Sequence, residues 1–195
     1  MKKLIFPILF VTNLFIWSAC NTGGTASFDE QVTKAKDAYT SVKNAMPDSV
    51  TTKNLIVAYE NYVKNAPKDE KSAEYLFNTG QLYQQLHDFK TAVGTFESVY
   101  QQYPQSAKAP NALFLMAMSY KDNLNDTTKA KQYYAEFLQK FPQHELADDA
   151  KILLENIGKT DEQMFEELMK KAAAQGDTTA MAIQKQKPAH TPKKK

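Results

Sequence analysis

The chain has no arginine: all 24 of its basic residues are lysine. A guanidinium offers the planar fork that grips guanine or phosphate with two hydrogen bonds, and an ammonium does not replace it there. Nucleic-acid binding is disfavoured on that ground. Cysteine is nearly missing too, with Cys20 alone, so no internal disulfide staples the fold. The three histidines, His87, His144 and His190, fall in a loop, an interhelical turn and the C-terminal stretch. No cysteine stands near them, and no nucleophile and base pair is visible. GxGxxG, GxxxxGKS/T, HExxH and GxSxG are all absent, which removes the starting motifs of nucleotide-binding, zinc-protease and serine-hydrolase chemistry. The sequence points away from an enzyme, with no cofactor, no metal and no small-molecule substrate expected.

Charge is scarce in net terms and unevenly spread. The formal charge is +2, yet Lys2, Lys3 and five lysines between Met181 and Lys195 account for +7, so positions 20 to 180 carry −5. A length of 195 residues with 43% hydrophobic content fits one domain with a core, plus tails.

The N-terminus has the three-part layout of an export signal. Lys2 and Lys3 precede an apolar run of fourteen residues, Leu4 to Trp17, and the small residues Ser18 and Ala19 follow. At ~1.5 Å per helical residue that run covers about 21 Å, short of the ~30 Å hydrocarbon core, so residues 1–19 are expected to be cleaved. Trp17-Ser18-Ala19-Cys20 resembles the bacterial lipoprotein box, whose cysteine is acylated, with chains such as palmitate, and becomes the new N-terminus. Acylation also accounts for a lone thiol in an oxidising compartment. In lipoproteins of diderm bacteria a residue other than Asp after the cysteine favours the outer membrane. Asn21 stands there, so the resemblance implies a lipid anchor on the outer membrane with the domain facing the periplasm. Residues 20–26, Gly-rich and polar, read as a flexible tether.

Beyond the tether, helical periodicity dominates. Ser27 and Glu30 form a capping box, and Val32, Ala35, Ala38, Tyr39 and Val42 recur at helical spacing, which predicts a helix over 28–45. A second amphipathic helix carries Leu55, Ile56, Ala58, Tyr59, Tyr62 and Val63. Three helix-ending pairs, Ala66-Pro67, Tyr103-Pro104 and Phe141-Pro142, are separated by 37 and 38 residues, a period that means stacked repeats. Within the second unit Leu76, Gly80, Tyr83, Ala92, Phe96 and Pro104 hold the spacing of the tetratricopeptide signature, with Val99 at a further position. Leu113, Ala117, Tyr120, Ala130, Tyr134, Phe137 and Pro142 repeat it, with one added residue taken up in the loop 123–126. The chain thus resembles the tetratricopeptide-repeat proteins. The resemblance implies an all-α superhelical solenoid over 27–174, of about three helix pairs, closed by C-terminal capping helices near 146–157 and 161–173. From residue 175 the periodicity stops and the Lys- and Pro-containing tail is expected to be disordered.

In such solenoids the first helix of each pair lines a concave groove. The matching positions are Glu74, Phe77, Gln81, Asn111, Phe114, Met118 and Lys121; Phe77 and Phe114 are either apolar anchors for a partner or members of the core. His144, Asp148 and Asp149 sit at a helix start, where capping and solvation account for them better than zinc ligation. Glu166 and Glu167 are consecutive, point apart on a helix, and cannot form an acid and base couple.

The stretches 103–112 and 141–150 share an aromatic-Pro opening followed by a helix start. They are similar to two groups of envelope proteins: the Tol-Pal-associated YbgF (CpoB) proteins and the outer-membrane assembly lipoproteins of the BamD (YfiO) type. A lipidated cysteine points to the second and the wording of 96–154 to the first. The resemblance implies a membrane-anchored scaffold for envelope or outer-membrane protein partners. The alternative is a surface lipoprotein whose Tyr and Phe rings bind a glycan or nutrient.

Overall fold

The computed structural model describes residues 22–41 and 48–176. The expected signal peptide, Cys20 and positions 177–195 of the expected tail lie outside the described residues. Eight α-helices are described and, among the described residues, no strand: α1 Thr22–Thr40, α2 Ser49–Asn65, α3 Glu70–Gln85, α4 Phe89–Gln102, α5 Lys108–Asp122, α6 Thr127–Lys140, α7 Ala147–Asn156 and α8 Asp161–Ala174. None of these helices is long and apolar enough to cross a membrane. The chain divides into two compact units, Met1–Lys68 and Asp69–Lys195.

In the first unit α1 packs against α2. Val32 of α1 and Leu55, Ile56, Ala58, Tyr59 and Tyr62 of α2 are buried, at the helical spacing seen in the sequence. α1 begins earlier than expected, at Thr22 rather than near 28, and is described to Thr40; positions 42–45 of the expected helix lie outside the described residues. Positions 22–26, expected in the tether, are helical, and Ser27 and Glu30 lie inside the helix rather than at its cap. Propagating an existing helix past Gly23 and Gly24 costs only about 1 kcal/mol per glycine, far less than nucleating a new one.

Five of the helix starts share one device, a side-chain cap, which α5 and α7 lack. Asp48, Asp69, Asp88 and Asp126 are N-caps whose side chains accept backbone N–H bonds from Val50 and Thr51, Lys71, Thr91 and Lys129 respectively. Thr160 caps α8 in a full capping box with Gln163. The stops are periodic as well. Ala66, Tyr103 and Phe141, the residues before the three prolines, close α2, α4 and α6 with φ of −132°, −126° and −129°; the proline ring excludes the αR conformation just before it.

In the second unit α3 packs on α4, α4 on α5, α5 on α6 and α6 on α7, so that α4, α5 and α6 each meet both chain neighbours. Direct contact of α3 with α5 sets the first helices of two successive pairs side by side. The Gln84 Nε2 donates to Ser119 Oγ across that contact at 2.8 Å. The added residue of the second repeat stays in its loop: Asp88 N donates to Tyr83 O, and Asp126 N, one residue later in its unit, donates to Tyr120 O. His87 and Asn125 turn these two corners with φ of 59° and 53°.

Inside, the signature residues form one core with Val93, Met116, Ala150 and Ile157. Ala92, Phe96, Val99, Leu113, Ala117, Ala130, Tyr134 and Phe137 are all fully buried. A Cβ built on Gly80 would lie 2.5 Å from Phe96 Cε1, closer than real atoms approach, so α3 and α4 come together only because that side chain is missing. The Phe96 ring then meets Phe77 at 5.6 Å between centroids, and in the next unit Phe114 meets Tyr134 at 5.6 Å.

Carried one period further, the pattern changes. Glu155 falls where Gly80 and Ala117 stand, and in α8 the position four residues past the N-cap, held by Ala92 and Ala130 in α4 and α6, belongs to Met164. Glu155 is exposed and Met164 half-buried. Long side chains at both small-residue positions deny α7 and α8 the close approach of the two pairs before them.

This packing makes opposite demands of two glycines. Gly80→Ala lowers the unfolding free energy by about 1–3 kcal/mol through overpacking. Gly94→Ala, in open space within α4, raises it by about 0.5–1 kcal/mol through helix propensity. Urea titrations reading equal shifts of one sign at both positions would contradict the close approach. Tyr134 has a buried hydroxyl with no hydrogen-bond partner among the described residues; burial first, and then the Asp122 carboxylate, push its pKa well above the ordinary tyrosine value of 10.0. The folded state therefore keeps this proton while the unfolded state gives it up above pH 10, and the stability it contributes declines as pH rises. Tyr134→Phe flattens the alkaline limb of stability against pH and leaves the neutral value equal or higher.

Candidate protein-binding surface

The 37-residue offset between the first two full units sets matching residues of α3 and α5 side by side. Glu74, Asn78, Gln81 and Gln84 on α3 correspond to Asn111, Leu115, Met118 and Lys121 on α5. Glu74 and Gln81 are exposed, and the other six are half-buried. Most of these side chains end in an amide or a charge and sit on a rigid pair of helices; Gln84 is engaged by Ser119. Lys121 forms an ion pair with its neighbour Asp122 at 2.7 Å, which mutes its charge. Leu115 and Met118 rest against the core cluster and show part of their surface, forming a small apolar strip among amides. Of the groove positions expected from the sequence, Gln81, Asn111, Met118 and Lys121 thus share one face. Asn78 and Leu115 belong with them and were not among the expected positions, although i, i+4, i+7 spacing from Glu74 and Asn111 marks both.

Phe77 and Phe114 are not anchors on that face. They are 7% and 8% exposed and belong to the core. Phe77 lies against Phe96, and the Lys108 ammonium sits 5.4 Å from its centroid; Phe114 meets Tyr134 and Phe137 edge-on. An aromatic at this place in the period packs against the ring of the second helix, Phe96 or Tyr134, so burial wins over display.

The second helices carry a separate cluster. Tyr100 Oη donates to Glu136 Oε1 at 2.7 Å, linking α4 to α6. Lys140 sits 4.9 Å from the Tyr100 ring centroid and 3.2 Å from the same carboxylate. Burial pushes the Tyr100 pKa up, and hydrogen bonds to Tyr100 and then Glu136 hold that of Lys140 above its usual value. Tyr100, Gln101, Pro104, Lys140 and Phe141 border an open hollow of about 560 Å³. Nearby, Tyr120 stacks on Tyr133 at 5.4 Å with the Lys129 ammonium over its ring. Those rings are engaged with one another and with lysines, which leaves little open aromatic face for a sugar.

His144 acts locally. Its Nδ1 accepts the Leu146 N–H and its ring meets Phe137 edge-on at 5.5 Å. It shapes the turn into α7, while Asp148 and Asp149 lie in the first turn of that helix, where the dipole favours acids. Glu167 is paired with Lys159 at 2.6 Å, which lowers its pKa.

The two kinds of position separate in a stability series. Phe114→Ala lowers the unfolding free energy by about 3–5 kcal/mol, as a buried aromatic does, whereas Gln81→Ala stays within about 0.5 kcal/mol. Equal small losses in urea unfolding would return Phe114 to the surface.

Among curated proteins none matches the chain. A family model for the tetratricopeptide repeat matches residues 74–106 and 111–144, the two helix pairs α3–α4 and α5–α6. This part of the chain is accordingly a pair of tetratricopeptide repeats in an all-α solenoid, the architecture of a protein-interaction scaffold.

Proposed function

We propose that the chain is a lipid-anchored scaffold of the bacterial cell envelope, held on the periplasmic side of the outer membrane by an acylated Cys20. There it docks partner proteins in outer-membrane protein assembly or in Tol-Pal-linked coordination of the envelope at division. The observation that carries the docking role is the in-register face of α3 and α5, where Gln81, Asn111, Met118 and Leu115 present amides beside a narrow apolar strip. Such a face suits an extended segment or a helix of a partner: the strip is buried on contact, and the amides fix orientation through hydrogen bonds.

The anchor rests on the basic start, the fourteen-residue apolar run and Ser18-Ala19-Cys20. Each buried methylene adds ~0.8 kcal/mol, and two or more acyl chains hold a soluble domain on a bilayer without a spanning helix. Confinement to the membrane raises the local concentration of partners there.

Photo-crosslinking in cells from position 118, followed by mass spectrometry, tests both parts. A discrete envelope protein is expected, reduced at least tenfold by Cys20→Ala, which also removes labelling by a palmitate analogue. Capture that persists in the soluble fraction of Cys20→Ala would disconnect docking from the anchor, and labelling that survives the substitution would refute lipidation at this residue.

A further inference from the structure

Among the described residues, the C-terminal end of the solenoid does not close with a polar face. Ile152 on α7 is 55% exposed, and on α8 Phe165 is 42% and Leu168 63% exposed. Ile152 holds the place in the period that Phe77 and Phe114 hold in the two units before it, and those two rings are buried. The residue that stands over Phe77 is Lys108; its counterpart one period on, Leu146, packs against the core that contains Phe114. A terminal repeat normally turns a polar surface to water; here three large apolar side chains face outward instead.

We infer that this end is a self-association surface, on which α8 pairs with α8 of a second copy of the chain, antiparallel about a two-fold axis. Charge along the helix is the first argument. Asp161 and Glu162 occupy its first turn and Lys171 its last. An antiparallel partner sets the acidic end of each helix beside the basic end of the other, and symmetry doubles the gain; a parallel partner would set like charges together.

Placement is the second argument. Phe165 and Leu168 are equidistant from the point midway between Glu166 and Glu167, and Glu162 and Lys171 are equidistant from that same point. A two-fold axis there sets Phe165 against Leu168 of the second copy and brings Glu162 level with its Lys171. At about 100° per residue, Glu166 and Glu167 project about 130° away from the middle of the Phe165–Leu168 stripe. Glu167 is also held by Lys159, so no pair of like charges crowds the axis. The capping box at Thr160 fixes where α8 begins and therefore the register of the pairing.

Sedimentation equilibrium of the full chain in density-matched detergent tests this. The native chain is expected to dimerise. Leu168→Glu raises the dissociation constant at least tenfold with an unchanged circular dichroism spectrum. Lys171→Glu weakens association, and adding Glu162→Lys to it restores association. A native chain that stays monomeric through the micromolar range, a dimer indifferent to Leu168→Glu, or a charge swap that fails to restore it would each overturn the inference. If instead the native chain is monomeric and binds phosphatidylglycerol vesicles, and Leu168→Glu abolishes that binding, the surface faces lipid and the inference also falls.

Discussion

Everything built on the repeat depends on the missing side chain at Gly80. With a Cβ there, Phe96 could not occupy its place between α3 and α4; without Phe96 seated, Phe77 would lose the ring it packs against. The second repeat solves the same problem with Ala117 against Tyr134, both fully buried, and the aromatic pair beneath keeps the same 5.6 Å separation. Where Glu155 and Met164 stand instead of small residues, the pattern of close pairs ends. The same constraint thus sets both the spacing of the helices and the number of units that obey it.

That spacing has a functional corollary. Since α3 and α5 touch directly and are tied by Gln84 and Ser119, the side chains projecting from them form a surface whose geometry does not depend on loops. A scaffold of this kind recognises a partner by the chemistry displayed on a fixed frame, and residues can change on the display face while the core stays intact. On this frame the amides of Gln81 and Asn111 lie beside the partly exposed Met118 and Leu115. The cluster around Tyr100, Glu136 and Lys140 stitches the other layer, α4 to α6, in the same manner.

Most of the fold was legible along the chain. Three prolines at 37- and 38-residue spacing marked the helix ends, and small and aromatic residues at signature positions marked the pairs, because steric rules of this kind act on neighbours in sequence. Helix boundaries were less legible at α1, since a capping box is a local preference that a growing helix overrides at small cost. The displayed face of α3 and α5 was half legible: helical spacing set Gln81, Asn111, Met118 and Lys121 together on it. It also included Phe77 and Phe114, since periodicity says which residues share a face and not how far a large ring can turn inward. Asn78 and Leu115 lay on the same spacing without carrying a signature residue type to single them out.

By itself the sequence determined the helical class, the repeat period and the positions where only a small side chain fits, because those follow from backbone sterics and from the order of apolar residues. Tertiary structure alone decided the burial of Phe77 and Phe114, the contact of α3 with α5, and the exposure of Ile152, Phe165 and Leu168. Each of these depends on which helix stands opposite, and a residue's opposite neighbour across a solenoid lies tens of positions away, beyond the reach of local pattern.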